Sequence, residues 1–128
     1  MHARSPEECD QLFAQHLNAG DIDALVGLYE PGSILVQRDG CIASGTGAIR
    51  AIFERMMARH PRINCEIVKV VSNDHDLAIV HNQWHLLMRD DDDRASEMTG
   101  KAIEVMRRQS DGSWRFALDD PYGLGEGP

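Results

Sequence analysis

The chain has 128 residues, enough for one domain with a hydrophobic core and too few for two. Hydrophobic residues make up 42% and charged residues 27%, the proportions of an ordinary globular protein. Thirteen basic and 21 acidic side chains give a net charge of -8, which disfavours binding to nucleic acid and to anionic membrane surfaces. We therefore expect residues 1–128 to form a single domain with neither kind of partner.

The cysteine pattern indicates a reducing compartment. Cys9, Cys41 and Cys65 are odd in number and far apart, and no apolar signal segment opens the chain. No apolar run approaches the roughly 18 residues that a membrane span requires. The sequence therefore predicts a cytoplasmic protein with reduced thiols.

A first helix is predicted directly after the N-terminus. Ser5 and Glu8 have the spacing of a capping box, and Pro6 occupies the first helical position. Gly20 ends the helix. The apolar face between these signals is built from residues that recur at helical spacing: Cys9, Leu12, Phe13, His16 and Leu17. On such a face, His16 is expected to be a hydrogen-bonded core histidine rather than a catalytic one.

Eight further elements are predicted in chain order. Up to residue 60 they are a short helix over 21–29 ended by Pro31-Gly32, a strand over 34–37, a turn at Asp39-Gly40, and a helix over about 47–59. Strands follow over 63–71, 77–88, 95–109 and 114–119. Helices first and antiparallel strands afterwards predict an α+β fold, with the helices on one face of a curved sheet.

Two groups of potential metal ligands do not have the spacing of a metal site. Asp90–Asp93 are consecutive residues between two strands, where we expect a solvated turn. His81 and His85 lie in one strand, where four residues span roughly 13 Å. We therefore expect no metal.

The last hairpin carries the main catalytic signal. Asp111-Gly112 predicts a two-residue turn, which would place Glu104 directly opposite Asp119. Directly opposed side chains have β-carbons roughly 4.5–5.5 Å apart. Two carboxyl groups at that separation in a dry pocket repel, so that one keeps its proton near neutral pH, and the pair can serve as acid and base.

The same register assigns the hairpin residues to two faces. Beside the acids it places Met106 opposite Ala117 and Arg108 opposite Arg115. The other face would carry the apolar residues Val105, Trp114, Phe116 and Leu118. This apolar face could point to the core, leaving the acids in water, or be covered by a second subunit, leaving the acids to line a cavity. Periodicity alone does not choose between these arrangements.

Three segments resemble a known family over nearly the whole chain. LNAGDIDALVGLYEPGSILVQ, SGTGAIRAIF and IEVMRRQSDGSW are similar to the ketosteroid isomerase and SnoaL-like branch of the nuclear-transport-factor-like superfamily. The resemblance implies a cone-shaped α+β barrel, in which N-terminal helices pack on the concave face of a strongly curved, mostly antiparallel sheet. It also implies a small apolar ligand inside the cone, no cofactor, and a homodimer formed through the convex face.

The residue-by-residue comparison weakens a steroid isomerase assignment. The family's oxyanion-donating tyrosine falls on Phe13, its general-base aspartate on Gln37, and its second oxyanion acid on Glu104. Enolisation needs a base as well as oxyanion donors, so steroid isomerase activity itself is disfavoured. The resemblance turns Asp119 inward, beside a ligand pocket expected to comprise Phe13, Tyr29, Gln37, Val80, Asn82, Trp84, Met106 and Ala117.

Four interpretations follow. The first is a cofactor-independent isomerase, cyclase or dehydratase, in which Glu104 and Asp119 are the catalytic pair. The second is a non-catalytic module that binds a ligand or associates through the same fold. The third, an epoxide hydrolase, would use Arg108 and Arg115 beside the acids. In the fourth, the acids are only structural, with Glu104 paired to Arg108 or Lys101 and Asp119 bonded to the following turn.

Overall fold

The structure is a computed structural model, and residues 2–123 are described. It contains three helices and six strands among these residues. In chain order they are α1 (Pro6–Ala19), α2 (Ile22–Val26), β1 (Tyr29–Val36), β2 (Ile42–Ser44), α3 (Thr46–Met57), β3 (Arg62–Ser72), β4 (Leu77–Arg89), β5 (Ala95–Arg108) and β6 (Trp114–Asp120).

The six strands form one open sheet in the order β2-β1-β6-β5-β4-β3. All neighbours are antiparallel except β1 and β6, which are parallel. Helix α1 packs across β3 to β6, and α3 packs on β1 and β2, so the helices cover one face of the curled sheet. The predicted α+β class and cone shape are confirmed.

Helix α1 begins and ends as the sequence predicts. The Ser5 hydroxyl accepts a hydrogen bond of 3.2 Å from the Glu8 amide, and Gly20 ends the helix in the left-handed region at φ 72°. His16 is buried as expected, but its Nε2 has no hydrogen-bond partner among residues 2–123. The prediction that it would be hydrogen-bonded in the core is therefore wrong for this nitrogen.

The prediction of a helix up to Tyr29 is also wrong. Helix α2 ends at Val26, and Tyr29 already begins β1, with Pro31-Gly32 inside the strand. The pairing of β1 with β6 shifts between Tyr29 and Ile34. Such an irregularity accommodates a proline without an N–H and a glycine at φ 78°. The Pro-Gly pair therefore marks a bulge in a strand rather than the end of a helix.

Strand β4 alternates strictly between the two faces of the sheet. Ala78, Val80, Asn82 and Trp84 are buried on the helix-covered face, in the orientation that the resemblance implied. His85 lies on the opposite face, where its Nε2 contacts Oε1 of Glu97 at 2.6 Å. The outer face of β4 therefore carries both polar residues and exposed aliphatic residues.

The β5–β6 hairpin contains a β-bulge that the sequence reading did not anticipate. Glu104 pairs with Asp119 as predicted, but the register shifts between Val105 and Met106, so that Met106 pairs with Phe116 rather than with Ala117. Trp114 and Phe116 are therefore buried on the same side as the acids, and the prediction that they lie on the face opposite the acids is wrong. Because the bulge adds one residue to β6, Trp114 and Phe116 point inward together with Glu104 and Asp119.

The remaining predictions concern the β4–β5 turn and the cysteines. Asp90–Asp93 are exposed, and Asp90 Oδ1 accepts bonds from the amides of Asp92 and Arg94, as a solvated turn requires. Cys9, Cys41 and Cys65 form no disulfide. No helix in the described part of the chain is long and apolar enough to cross a membrane.

Candidate active site

A cavity of about 440 Å³ lies between the inner face of the sheet and helices α1 and α3. Its walls are mainly apolar and aromatic, and Phe13, Leu35, Phe53, Trp84 and Met98 are among the residues that form them. Buried carboxyl groups complete the lining on the sheet side. The cavity thus combines an apolar enclosure with a few polar groups, the usual composition of a small-molecule site.

The cavity contains six of the ten residues predicted for the site. Those that line it are Phe13, Gln37, Asn82, Trp84, Glu104 and Asp119. Tyr29, Val80, Met106 and Ala117 lie outside the lining. Tyr29, Val80 and Met106 are buried in the core, and Ala117 is displaced by the bulge in β6.

Glu104 and Asp119 face each other across β5 and β6 inside the protein. Their residues are 5% and 3% exposed, so water contributes little to solvating either charge. Both pKa values are raised mainly by burial, and the negative charge of Asp10 raises each further. At least one of the two carboxyl groups therefore keeps a proton near neutral pH.

Tyr29 holds Asp119 through a buried hydrogen bond. The phenol donates to Oδ2 of Asp119 at 2.6 Å, and burial beside Asp119 raises the pKa of the phenol well above its ordinary value, so it stays a donor. This bond favours the ionised carboxylate and partly offsets its desolvation. As a result, the pKa of Asp119 is raised only to about 7.

Asp10 is the site residue that sequence reasoning missed. It lies on α1, is 2% exposed, and accepts a hydrogen bond of 2.9 Å from the Asn82 side-chain amide. The signal was available, because Asp10 stands three residues before Phe13 and seven before Leu17, on the buried side of the helix. Acidic residues are seldom buried, so an aspartate among the apolar residues of a helix face indicates a buried polar site.

Asp10 and Glu104 share a hydrogen bond between their carboxyl groups. This bond lowers the pKa of Asp10 and raises that of Glu104, although burial raises both. The proton therefore resides on Glu104, with Asp10 as the acceptor. Oε1 of Glu104 is buried and has no hydrogen-bond partner in the described chain, and Glu104 is one of the residues that line the cavity.

Trp84 forms the wall beside these acids and is fixed on three sides. Its Nε1 donates to the Pro121 carbonyl at 2.7 Å, and Tyr122 packs edge-on against the ring. The indole lies over Gly100 on the neighbouring strand, where any Cβ would overlap it. Glycine at this position thus permits the aromatic wall.

The other polar residues considered for the site are Arg108, Arg115 and Cys65. Arg108 and Arg115 are not part of the cavity lining, and the bulge turns Arg115 to the face opposite Asp119, so the arrangement expected for an epoxide hydrolase is absent. Cys65 lines the cavity, but burial and the nearby acids raise the pKa of its thiol to about 12. Within residues 2–123, no cluster of three or more histidine, cysteine or acidic side chains could hold a metal ion.

Helices packed on the inner face of a curled, open sheet, around a cavity with buried acids, define a cone-shaped α+β fold of the nuclear-transport-factor-like class. The sequence pattern of the SnoaL-like domain matches residues 10–117. The chain therefore belongs to the SnoaL-like family. A search of curated proteins found no match.

Solved structures share this fold at low sequence identity. A ketosteroid isomerase-like protein from Erwinia carotovora atroseptica superposes with a TM-score of 0.79 at 18% identity, covering 89% of each chain. A conserved protein from Planctomyces limnophilus gives 0.81 at 16% identity, also over 89% of each chain. An NTF2-like protein from Novosphingobium aromaticivorans gives 0.74 at 17% identity, covering 88% of this chain and 75% of its own. These similarities establish the fold alone.

Proposed function

We propose that the protein catalyses proton transfer on a small apolar molecule held in the cavity, as an isomerase, cyclase or dehydratase that uses no cofactor. The supporting observation is the buried Glu104 carboxyl, whose Oε1 has no partner among residues 2–123 and which lies opposite Asp119 across the hairpin. An unpaired buried polar atom is costly, and a ligand would satisfy it.

Asp119 is the proposed general base. Its pKa of about 7 gives both protonation states at neutral pH, which suits a group that must take up and release a proton. Tyr29 orients the carboxylate through Oδ2, leaving Oδ1 for a C–H bond of the substrate.

Glu104 is the proposed acid. In the free protein its proton is shared with Asp10, so Glu104 would turn this O–H from Asp10 to a substrate oxygen on which negative charge develops, while Asn82 keeps its hydrogen bond to Asp10. One proton thus leaves a substrate carbon for Asp119, and another reaches the substrate oxygen from Glu104. The reverse transfers at a different carbon would complete an isomerisation.

Deuterium exchange tests this assignment without knowledge of the natural substrate. The wild-type protein is incubated with β-tetralone in D₂O, and exchange at the carbon next to the carbonyl is followed by NMR. We expect the Asp119→Asn variant to lose at least about 100-fold of the exchange rate, and Glu104→Gln to lose a comparable factor. Exchange at the wild-type rate in Asp119→Asn would overturn the role of Asp119.

Asp120→Asn is the matched control. Asp120 is the adjacent residue of β6, half-buried and outside the cavity lining, so the substitution removes the same charge from the other face. Exchange should continue in this variant at close to the wild-type rate.

A non-catalytic binding module is the second candidate. Phe13 lines the cavity without a hydroxyl, and Gln37 cannot take up a proton, although the family's isomerases use acidic or hydroxylic groups at both positions. This candidate is favoured if the wild-type protein catalyses no exchange and the double variant Glu104→Gln/Asp119→Asn binds β-tetralone as tightly as the wild type does.

We also propose that the protein forms a homodimer through the outer face of the sheet. Cross-strand pairing aligns Val71, Ile79, Val105 and Leu118 in one row across β3 to β6. Val71 and Ile79 are 48% and 39% exposed, and exposed aliphatic rows of this kind are typical of subunit contacts.

A further inference from the structure

The charged residues of the cavity lining are of two kinds, arginines and acids. Arg38, Arg55 and Arg59 line it with exposed side chains, whereas its two acids, Glu104 and Asp119, are buried. The arginines therefore mark the end that reaches solvent, and the acids mark the interior. A ligand that fills the cavity meets positive charge at one end and the carboxyl groups at the other.

This concentration of cations runs against the composition of the chain. The protein has 21 acidic and 13 basic side chains, yet every exposed charged residue in the described lining is an arginine. No lysine and no exposed carboxylate accompanies them. The exposed charges of the lining are therefore opposite in sign to the net charge of the molecule.

The arginines come from two separate segments. Arg38 lies two residues after the end of β1, Arg55 lies in the last turn of α3, and Arg59 lies two residues after the end of that helix. Neither Arg55 nor Arg59 forms an ion pair with any residue in 2–123. Among residues 2–123, the side chain of Arg59 makes one hydrogen bond, a long one of 3.4 Å to the Ser96 hydroxyl. Both guanidinium groups can therefore turn to an anion.

We infer that the ligand is amphipathic, with an apolar body in the cavity and one anionic group, a carboxylate or a phosphate monoester, bound at the arginine end. Guanidinium groups present paired N–H donors that match both anions. The inference rests on the proposed function for the position of the apolar body, and it adds the anionic group. It places the reacting part of the ligand near Glu104 and Asp119.

Three compounds with one apolar chain and different head groups test the inference by isothermal titration calorimetry. They are decanoate, decyl phosphate and decanol, each titrated into the wild-type protein at pH 7 and low salt. At least one anion should bind about fivefold or more tightly than decanol, and the advantage should shrink as salt is added. The anion with the greater advantage identifies the head group.

Two variants and one control locate the effect. In Arg55→Gln/Arg59→Gln, the advantage of the preferred anion over decanol should fall to about twofold or less, while decanol binding is unchanged. Arg94→Gln removes a positive charge from the exposed β4–β5 turn, outside the lining, and should retain the advantage. All substituted side chains are exposed, and circular dichroism checks that each variant is folded.

The outcomes separate this inference from the proposed function. Equal binding of all three compounds, or an equal loss of anion binding in Arg94→Gln, overturns the anionic head group and leaves the apolar cavity site intact. Failure of all three to bind overturns the inference together with the apolar ligand on which it rests. Loss of anion preference confined to the Arg55/Arg59 variant supports the inference.

Discussion

Tyr29 and Asp119 form a buried hydrogen bond of 2.6 Å that links the first residue of β1 to the end of β6. Burial favours the neutral carboxyl group, whereas the phenolic donor favours the carboxylate. The two effects oppose each other and leave the pKa of Asp119 at about 7, between the values that either would produce alone. The pKa of Asp119, the proposed base, therefore depends on its hydrogen bond to Tyr29.

Tyr29→Phe should raise the pKa of Asp119 above 7. The substitution keeps the aromatic ring stacked on Phe116 and removes only the donor that stabilises the carboxylate. A rise of about one pKa unit, equivalent to about 1.4 kcal/mol, is the expected size. Carbon-13 NMR titration of the aspartate carboxyl carbons measures it, and the exposed aspartates in the same spectrum should not move. An unchanged or lower pKa would contradict this account.

The sequence was sufficient to predict the order of the elements, except for the short strand β2, and the central pair of acids. Caps at Ser5 and Gly20 and the turn at Asp111-Gly112 use residues whose local chemistry specifies the structure. Pairing outward from a two-residue turn predicted Glu104 opposite Asp119, and the structure contains this pair because the bulge in β6 offsets a turn that is one residue longer. The caps at Ser5 and Gly20 are local signals that do not depend on the rest of the chain.

The sequence was not sufficient where packing overrides local alternation. A bulge in β6 turns Trp114 and Phe116 inward, and no residue in WRFALDD signals that extra position. The predicted two-residue turn at Asp111-Gly112 is also wrong, because Gln109 bonds to Ser113 and the pairs between Met106 and the turn differ by one residue from the predicted register. A bulge allows one strand to direct two sets of side chains to the same core. Whether it forms depends on packing in the assembled sheet.

Asp119→Asn should change how stability depends on pH. Because the pKa of Asp119 rises on folding from 3.8 to about 7, the folded state binds the proton more tightly than the unfolded chain. The stabilisation of the neutral carboxyl is complete below pH 3.8 and is lost as the pH rises to about 7. A shift of about three units corresponds to about 4 kcal/mol.

The Asp119→Asn variant does not lose this stabilisation as the pH rises, because its amide does not ionise and its oxygen can still accept the Tyr29 bond. Relative to the wild type, its free energy of unfolding should therefore increase between pH 4 and pH 8. Urea denaturation at both pH values measures the difference. Asp120→Asn removes only the smallest of the influences that raise the pKa of Asp119, so most of the wild-type pH dependence should remain. A constant difference between Asp119→Asn and the wild type would refute the raised pKa.

Gly100→Ala should destabilise the protein by displacing Trp84. A Cβ at this position overlaps the indole ring, which also donates to the Pro121 carbonyl. Overpacking of this kind costs about 1–3 kcal/mol. Chemical denaturation measures the loss, and tryptophan emission reports the changed environment of the ring. Gly47→Ala on α3 is the control, because nothing lies within 4 Å of its added Cβ and alanine favours a helix.

Ile79→Glu should prevent the proposed dimer without unfolding the subunit. Ile79 lies at the centre of the outer-face row, between Val71 and Val105, and is already 39% exposed in the subunit. Its replacement adds a charge that a dimer would bury unpaired, which costs far more than the exposed charge costs the monomer. Sedimentation velocity should show a dimer for the wild type and a monomer for the variant. Ile42→Glu, on the edge strand β2 and 62% exposed, makes the same change away from the row and should remain dimeric. A wild-type monomer, or equal dissociation of both variants, would exclude the outer face as the interface.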